Sequence, residues 1–164
     1  MILGLSVQTF TLVHVLISLI GIVSGVVVLI AMIANARLNG VTALFLATTV
    51  ATSATGFLFH SKAIGPPHIV GGISLVVLAV ALLALYGRHL SGAWRPAYVI
   101  TAVVALYLNC FVGVVQAFQK FSFLQPLAPT QSEPPFLVAQ IAVLILFIVL
   151  GFLAVRRFRP ATAV

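Results

Sequence analysis

Five long stretches without a charged residue constrain this chain more than any other feature of its sequence. Each contains at least the roughly 20 residues that an α-helix needs to cross the hydrocarbon core of a bilayer. Hydrophobic residues make up 63% of the chain and charged residues only 5%, whereas about a quarter of the residues in soluble domains are charged. The sequence therefore predicts one all-α integral membrane domain over residues 1–164, a bundle of five transmembrane helices.

The distribution of basic residues predicts the orientation of this bundle. We expect helices at about 7–34, 40–59, 67–86, 96–118 and 135–155, with a surface loop at 119–134. With the N-terminus outside, the outer segments contain Lys62 and Lys120, and the inner segments contain the remaining basic residues: Arg37, Arg88, Arg95, Arg156, Arg157 and Arg159. Because Lys and Arg are enriched in cytoplasmic loops, we expect an outer N-terminus and a cytoplasmic C-terminus.

Composition and motifs disfavour two broad classes of function. The net charge of +7 would suit a nucleic-acid-binding protein, but the basic residues lie singly or in pairs between apolar stretches, as topology signals do. We therefore expect no nucleic-acid partner. The chain contains no H-E-x-x-H, C-x-x-C or G-x-S-x-G motif and no phosphate-binding glycine loop. It also lacks the pair of carboxylates that acid–base catalysis commonly uses, so an enzyme is the less favoured interpretation.

The hairpin 55–72 organises the remaining polar residues, because it places a histidine on each side of a tight outer turn. In the predicted orientation, further polar side chains of helices 1, 4 and 5 lie toward the same side of the membrane. We expect these residues to line a ligand-binding pocket, with the loop 119–134 as its cover. The candidate residues are His14, His60, His68, Asn109, Gln116, Glu133 and Gln140.

Helical spacing supports an inward direction for several of these residues. His14, Ser18, Gly21 and Gly25 follow one another at steps of 4, 3 and 4 residues and therefore lie on one face of helix 1. Gly21 and Gly25 form the G-x-x-x-G spacing that lets helices approach closely in lipid. Asn109 falls near the middle of helix 4, where an amide facing lipid would be costly. We expect it to bond a neighbouring helix or to line a cavity.

Several functions fit this arrangement. The leading interpretation is a non-enzymatic protein that binds a partner or a small neutral or anionic ligand, such as a quinone, through the outer pocket. A second is a redox protein in which His14, His60 and His68 hold a transition metal or a b-type haem. A third is an accessory or assembly subunit, or a small channel or transporter. In an accessory subunit, polar residues bond between helices without a ligand, whereas a channel or transporter would use the face of helix 4 that carries Asn109 as a path. A homo-oligomer or other transmembrane subunits are the expected partners.

Two sequence stretches suggest a cellular location. Gly92-Ala93-Trp94-Arg95 and the segment 127–136, which reads L-A-P-T-Q-S-E-P-P-F, resemble stretches of a group of small uncharacterised multi-pass proteins of the bacterial inner membrane. The resemblance extends over most of the chain. It implies a bacterial inner-membrane location, and it implies no activity.

Overall fold

The computed structural model describes residues 1–59 and 65–160, and these residues form five α-helices. The helices are α1 (Val7–Ile33), α2 (Asn39–Gly56), α3 (Pro66–Leu82), α4 (Trp94–Lys120) and α5 (Pro134–Arg157). A π-helical turn at Leu83–Gly87 extends α3, and a 3₁₀ turn at Gln125–Leu127 interrupts the loop before α5. The prediction of an all-helical chain with five helices is confirmed.

Four of the five helices are long and apolar enough to cross a membrane: α1, α3 with its π-helical turn, α4 and α5. Several such helices in one chain are typical of a multi-pass membrane protein. Within the described residues, α2 is the exception, because threonines and a serine occupy much of its C-terminal half. These residues make α2 less apolar, and their hydroxyl groups form hydrogen bonds with side chains of α1 and α3.

Sequence signals at the helix ends explain most of the observed bounds. The Ser6 hydroxyl accepts a hydrogen bond from the Thr9 backbone N–H and caps α1. Prolines open α3 and α5, where the missing N–H is not needed. Helix α4 begins at Trp94 rather than at the expected residue 96, because Pro96 is tolerated in a first turn. Helix α2 ends at Gly56, three residues before its expected end.

The helices pack as an antiparallel bundle in which α4 contacts all the others. We call the end where α1, α3 and α5 begin the N-terminal end, and the opposite end the C-terminal end. The closest approach occurs at Gly25, where an added Cβ would lie 2.6 Å from Leu106 Cδ1 and 2.8 Å from the Phe45 ring. Phe45 and Leu106 are each only 1% exposed. This contact closes the middle of the bundle and separates its two ends.

Candidate functional site

A pocket of about 110 Å³ lies at the N-terminal end between α1, α2, α3 and α4. We call it the N-terminal pocket. Its polar lining comes from all four helices and consists of His14, Ser18, Thr52, Ser53, His68, Ser74 and Asn109. Apolar side chains such as Phe57, Leu108 and Val112 complete the wall. Residues that are separated by up to 98 positions in the sequence thus surround one small volume.

His14 projects from α1 onto α2, where its Nδ1 lies 2.8 Å from the Thr55 hydroxyl. The Thr55 hydroxyl donates its single proton to the Ala51 carbonyl at 2.7 Å, so its oxygen must accept from His14. Nδ1 of His14 therefore carries a proton, and in the neutral ring Nε2 carries the lone pair. The Phe59 ring packs edge-on against the imidazole, 5.1 Å away between centroids, and restrains its orientation.

His68 lies in the first turn of α3, and its Nδ1 accepts a hydrogen bond of 3.3 Å from the Gly65 backbone N–H. This contact satisfies one of the backbone donors left free at a helix N-terminus. Because Nδ1 accepts, the ring proton in this arrangement is on Nε2. The Phe57 ring lies 5.7 Å from the imidazole. The two histidines thus have opposite tautomers, and His14 presents an acceptor at Nε2.

Asn109 reaches the pocket from α4, next to the close approach of α1 and α2. A Cβ at Gly21 would lie 3.2 Å from Asn109 Nδ2 and equally close to the Thr48 and Thr49 hydroxyls. The amide nitrogen is buried, and within residues 1–59 and 65–160 it has no hydrogen-bond partner. A donor without a partner is uncommon in a native interior. Asn109 lines the N-terminal pocket, and its role in binding a ligand stays a prediction.

The other predicted site residues do not line this pocket. Gln116 is exposed, and Gln140 donates to the Phe111 carbonyl at 3.2 Å, joining α5 to α4. Glu133 occupies the N-cap position of α5, yet its carboxylate bonds the preceding turn rather than the helix. It accepts from the Thr130 hydroxyl at 2.8 Å and from the backbone N–H groups of Thr130 and Ser132. His60 lies outside the described residues.

Two residues that form or support the pocket were not identified from the sequence. Thr55, the partner of His14, was not recognised as such, although it stands on the small-residue run of α2. Ser74 was missed, although it follows His68 and Gly71 at steps of three residues on one face of α3. It accepts a hydrogen bond of 2.9 Å from Ser53 and joins α3 to α2. Helical spacing from His68 was the signal that could have found it.

The predicted metal site concerns His14, His60 and His68. Within residues 1–59 and 65–160, no three His, Cys, Asp or Glu side chains come close enough to hold a metal ion. His14 and His68 both line the N-terminal pocket, and the third proposed ligand is outside the described range. The metal and haem interpretations stay predictions. An absorption spectrum and an elemental analysis of the purified protein would test them.

Comparison of the chain with protein-family models, with curated proteins and with solved structures finds no match. The arguments about function therefore depend on the geometry of the chain itself.

Proposed function

We propose that this chain is a non-enzymatic membrane protein that binds a small uncharged ligand in the N-terminal pocket. All five helices cross the bilayer in this proposal, with the N-terminus outside and the C-terminus in the cytoplasm of a bacterial cell. The asymmetry of the arginines supports this orientation, because all six are at the C-terminal end. The pocket then opens near the outer surface, and the loop 119–134 lies above the same end.

The observation that carries this proposal is the buried amide of Asn109. Burying a hydrogen-bond donor without a partner costs roughly 1–3 kcal/mol, and nothing in the described residues offsets that cost. An apolar side chain would pack there at no such cost. A donor at the wall of a small cavity, which His14 and His68 also line, is instead suited to an oxygen atom supplied by a bound molecule.

The size and polarity of the pocket define the class of ligand. A cavity of roughly 150 Å³ holds a benzene ring, so a volume of about 110 Å³ limits the bound part of a ligand to a single ring or less. Asn109 offers N–H donors, and His14 offers an acceptor. The apolar wall favours an uncharged molecule with carbonyl or hydroxyl oxygens, such as a quinone head group. A haem macrocycle, with four pyrroles, is far larger than this volume.

Filling the pocket tests the proposal. Gly56 lines it, and a Cβ there would meet only His14 Cε1, at 3.9 Å. A Gly56→Leu variant therefore has room for its side chain only at the expense of the cavity. Native mass spectrometry of protein extracted directly from membranes into lipid nanodiscs should detect a retained small molecule on the wild type. It should be absent from the Gly56→Leu variant.

Gly72→Leu is the matched control. Gly72 lies at the same end of the bundle, on α3, and a Cβ there meets no atom within 4 Å. It does not line the pocket, so this variant should retain the same molecule as the wild type. If the wild type carries no added mass, or if both variants lose the added mass equally, the proposal that this pocket binds a ligand is wrong. The polar groups would then serve only to bond helices within an accessory subunit.

A further inference from the structure

A second and larger cavity lies at the opposite end of the bundle. It has a volume of about 200 Å³ and is formed by the ends of α1 and α3, the starts of α2 and α4, and the C-terminal tail. We call it the C-terminal pocket. Most of its surface is apolar, with Val28, Met32 and Leu85 among its wall residues, and Arg37, Asn39 and Tyr86 stand at its polar part. It shares no residue with the N-terminal pocket.

The charge at this end is not balanced by the chain. All six arginines lie here, whereas the only acidic side chain of the sequence, Glu133, lies at the other end and bonds its own turn. Some arginines already have a role: Arg95 donates to the carbonyls of Val155 and Phe158 at 3.0 and 2.6 Å. Arg37 lines the pocket, and no described residue forms a hydrogen bond or an ion pair with it.

We propose that the C-terminal pocket binds an anionic phospholipid. Its phosphate lies at the Arg37 guanidinium, which matches phosphate oxygens with two parallel N–H donors. Asn39 and Tyr86 add hydrogen-bonding groups beside it, and the first part of an acyl chain covers the apolar wall. A free phosphate would leave that wall without a partner. Basic pockets between helices on the cytoplasmic side are suited to anionic head groups.

The position of the pocket along the helices fits a lipid. Arg37 follows the end of α1 at Ile33 by four residues, and Tyr86 belongs to the π-helical turn that ends the α3 span. Trp94 opens α4 at the same level, with the Arg88 guanidinium 5.4 Å from its ring centre. Aromatic and basic side chains are characteristic of the level of the lipid head groups.

The C-terminal tail keeps the pocket formed. Phe158 is 2% exposed and makes one wall of the pocket, with its ring 6.2 Å from that of Tyr98. The Arg95 guanidinium donates to the Phe158 carbonyl. The residue after Phe158, Arg159, donates its backbone N–H to Asn35 Oδ1 at 2.7 Å. These bonds fix the tail to the α1–α2 turn, so that a lipid meets a preformed site and orders little of the protein on binding.

Lipid titration followed by native mass spectrometry tests this proposal. Protein in a neutral detergent is titrated with phosphatidylglycerol and with phosphatidylcholine that has the same acyl chains. We expect tighter binding of phosphatidylglycerol, and we expect Arg37→Gln to weaken it on the order of tenfold, because one charge-assisted contact is lost. Arg157→Gln is the control, since Arg157 is exposed at the same end and outside the pocket. It should change the affinity less than twofold.

Three outcomes would overturn the proposal. An equal loss of phosphatidylglycerol affinity in the Arg37→Gln and Arg157→Gln variants would indicate diffuse attraction of the lipid to positive charge instead of a binding site. Equal binding of the two lipids would leave only apolar contact. Displacement of phosphatidylglycerol by millimolar inorganic phosphate would indicate a free-phosphate site. Because Arg37 is exposed, the substitution should leave the melting temperature unchanged, and a weakened fold cannot then explain a loss of lipid.

Discussion

The two ends of the bundle differ in the kind of polar side chains that they contain. At the N-terminal end, uncharged groups bond one another across helices, as His14 does with Thr55 and Ser53 with Ser74. Two buried amide atoms at this end, Asn109 Nδ2 and Gln140 Oε1, have no partner among the described residues. At the C-terminal end, charged groups dominate and no acidic side chain is present. In the two proposals made above, the first end selects a ligand by hydrogen bonds and shape, and the second selects one by negative charge. The packed apolar layer around Gly25, Phe45 and Leu106 lies between the two pockets.

The largest expected effect comes from disturbing that separating layer. In a Gly25→Ala variant the new methyl group would lie 2.6 Å from Leu106 Cδ1 and 2.8 Å from the Phe45 ring, both in the packed core. Overpacking of this kind costs about 1–3 kcal/mol. We expect a matching loss in the free energy of unfolding, measured by titration with a denaturing detergent.

Gly40→Ala is the control for this substitution, because a Cβ at Gly40 meets no atom within 4 Å. It should leave the free energy of unfolding within about 0.5 kcal/mol of the wild type, or raise it slightly. Equal losses in the two variants would mean that the contact between Gly25, Phe45 and Leu106 does not separate the two ends.

The second prediction compares the two buried amides. Asn109 has a buried Nδ2 with no described partner. Gln140 donates its Nε2–H to the Phe111 carbonyl, and only its buried Oε1 has no described partner. Replacing an unpartnered polar group by an apolar group of similar shape is neutral or stabilising. We therefore expect Asn109→Leu to raise the free energy of unfolding of the ligand-free protein by up to about 1 kcal/mol. Gln140→Leu should lower it by about 0.6 kcal/mol, a typical value for a hydrogen bond between helices in a membrane.

The two amides also differ in their expected effect on ligand binding. Asn109→Leu should abolish retention of the small molecule, and Gln140→Leu should not, because only Asn109 lines the pocket. A stable Asn109→Leu variant that retains the molecule would show that the amide is not part of the binding site.

The sequence predicted composition-driven features well and side-chain pairings poorly. Long uncharged stretches predicted the five helices, because burial of an apolar helix in lipid depends on length and composition alone. The steps from His14 to Gly25 predicted the face of α1 that packs. The tautomer of His14 could not be predicted, because it depends on a proton that Thr55 gives to a carbonyl one turn away. The C-terminal pocket could not be predicted either, since Phe158 reaches it from the far end of the chain.

A smaller effect is expected at the bond between His14 and Thr55. Thr55→Val removes the oxygen that accepts from Nδ1, and the loss should be about 0.6 kcal/mol in the free energy of unfolding. Without this acceptor the imidazole is no longer held in one tautomer, and the nitrogen-15 chemical shifts of the His14 ring should show a mixture. Thr101→Val is the control, since its hydroxyl bonds only carbonyls of its own helix. Unchanged His14 shifts in Thr55→Val would contradict the assignment.

The smallest expected effect concerns Glu133, the only acidic side chain of the sequence. Desolvation acts to raise the pKa of this carboxyl, but hydrogen bonds from Thr130 and Ser132 outweigh it and hold the pKa below its ordinary value. A group whose pKa is lowered by folding stabilises the folded state above its unfolded pKa, roughly 4.3 for Glu. That contribution is lost as the pH falls through the lower, folded value. Hydrogen exchange at the amides of Thr130 and Ser132 should therefore show its full relative protection above about pH 5. This protection should be lost as the pH falls through the folded pKa of Glu133.

Glu133→Gln removes this titration while keeping a side-chain carbonyl that can accept the same bonds. Its amides should show a weaker and pH-independent protection relative to the intrinsic exchange rate, and the N-terminal pocket should be unaffected, because Glu133 does not line it. If the variant instead released the retained molecule, the turn before α5 would belong to the binding site. The N-terminal end would then also depend on a charge, and the contrast between the two ends would be wrong.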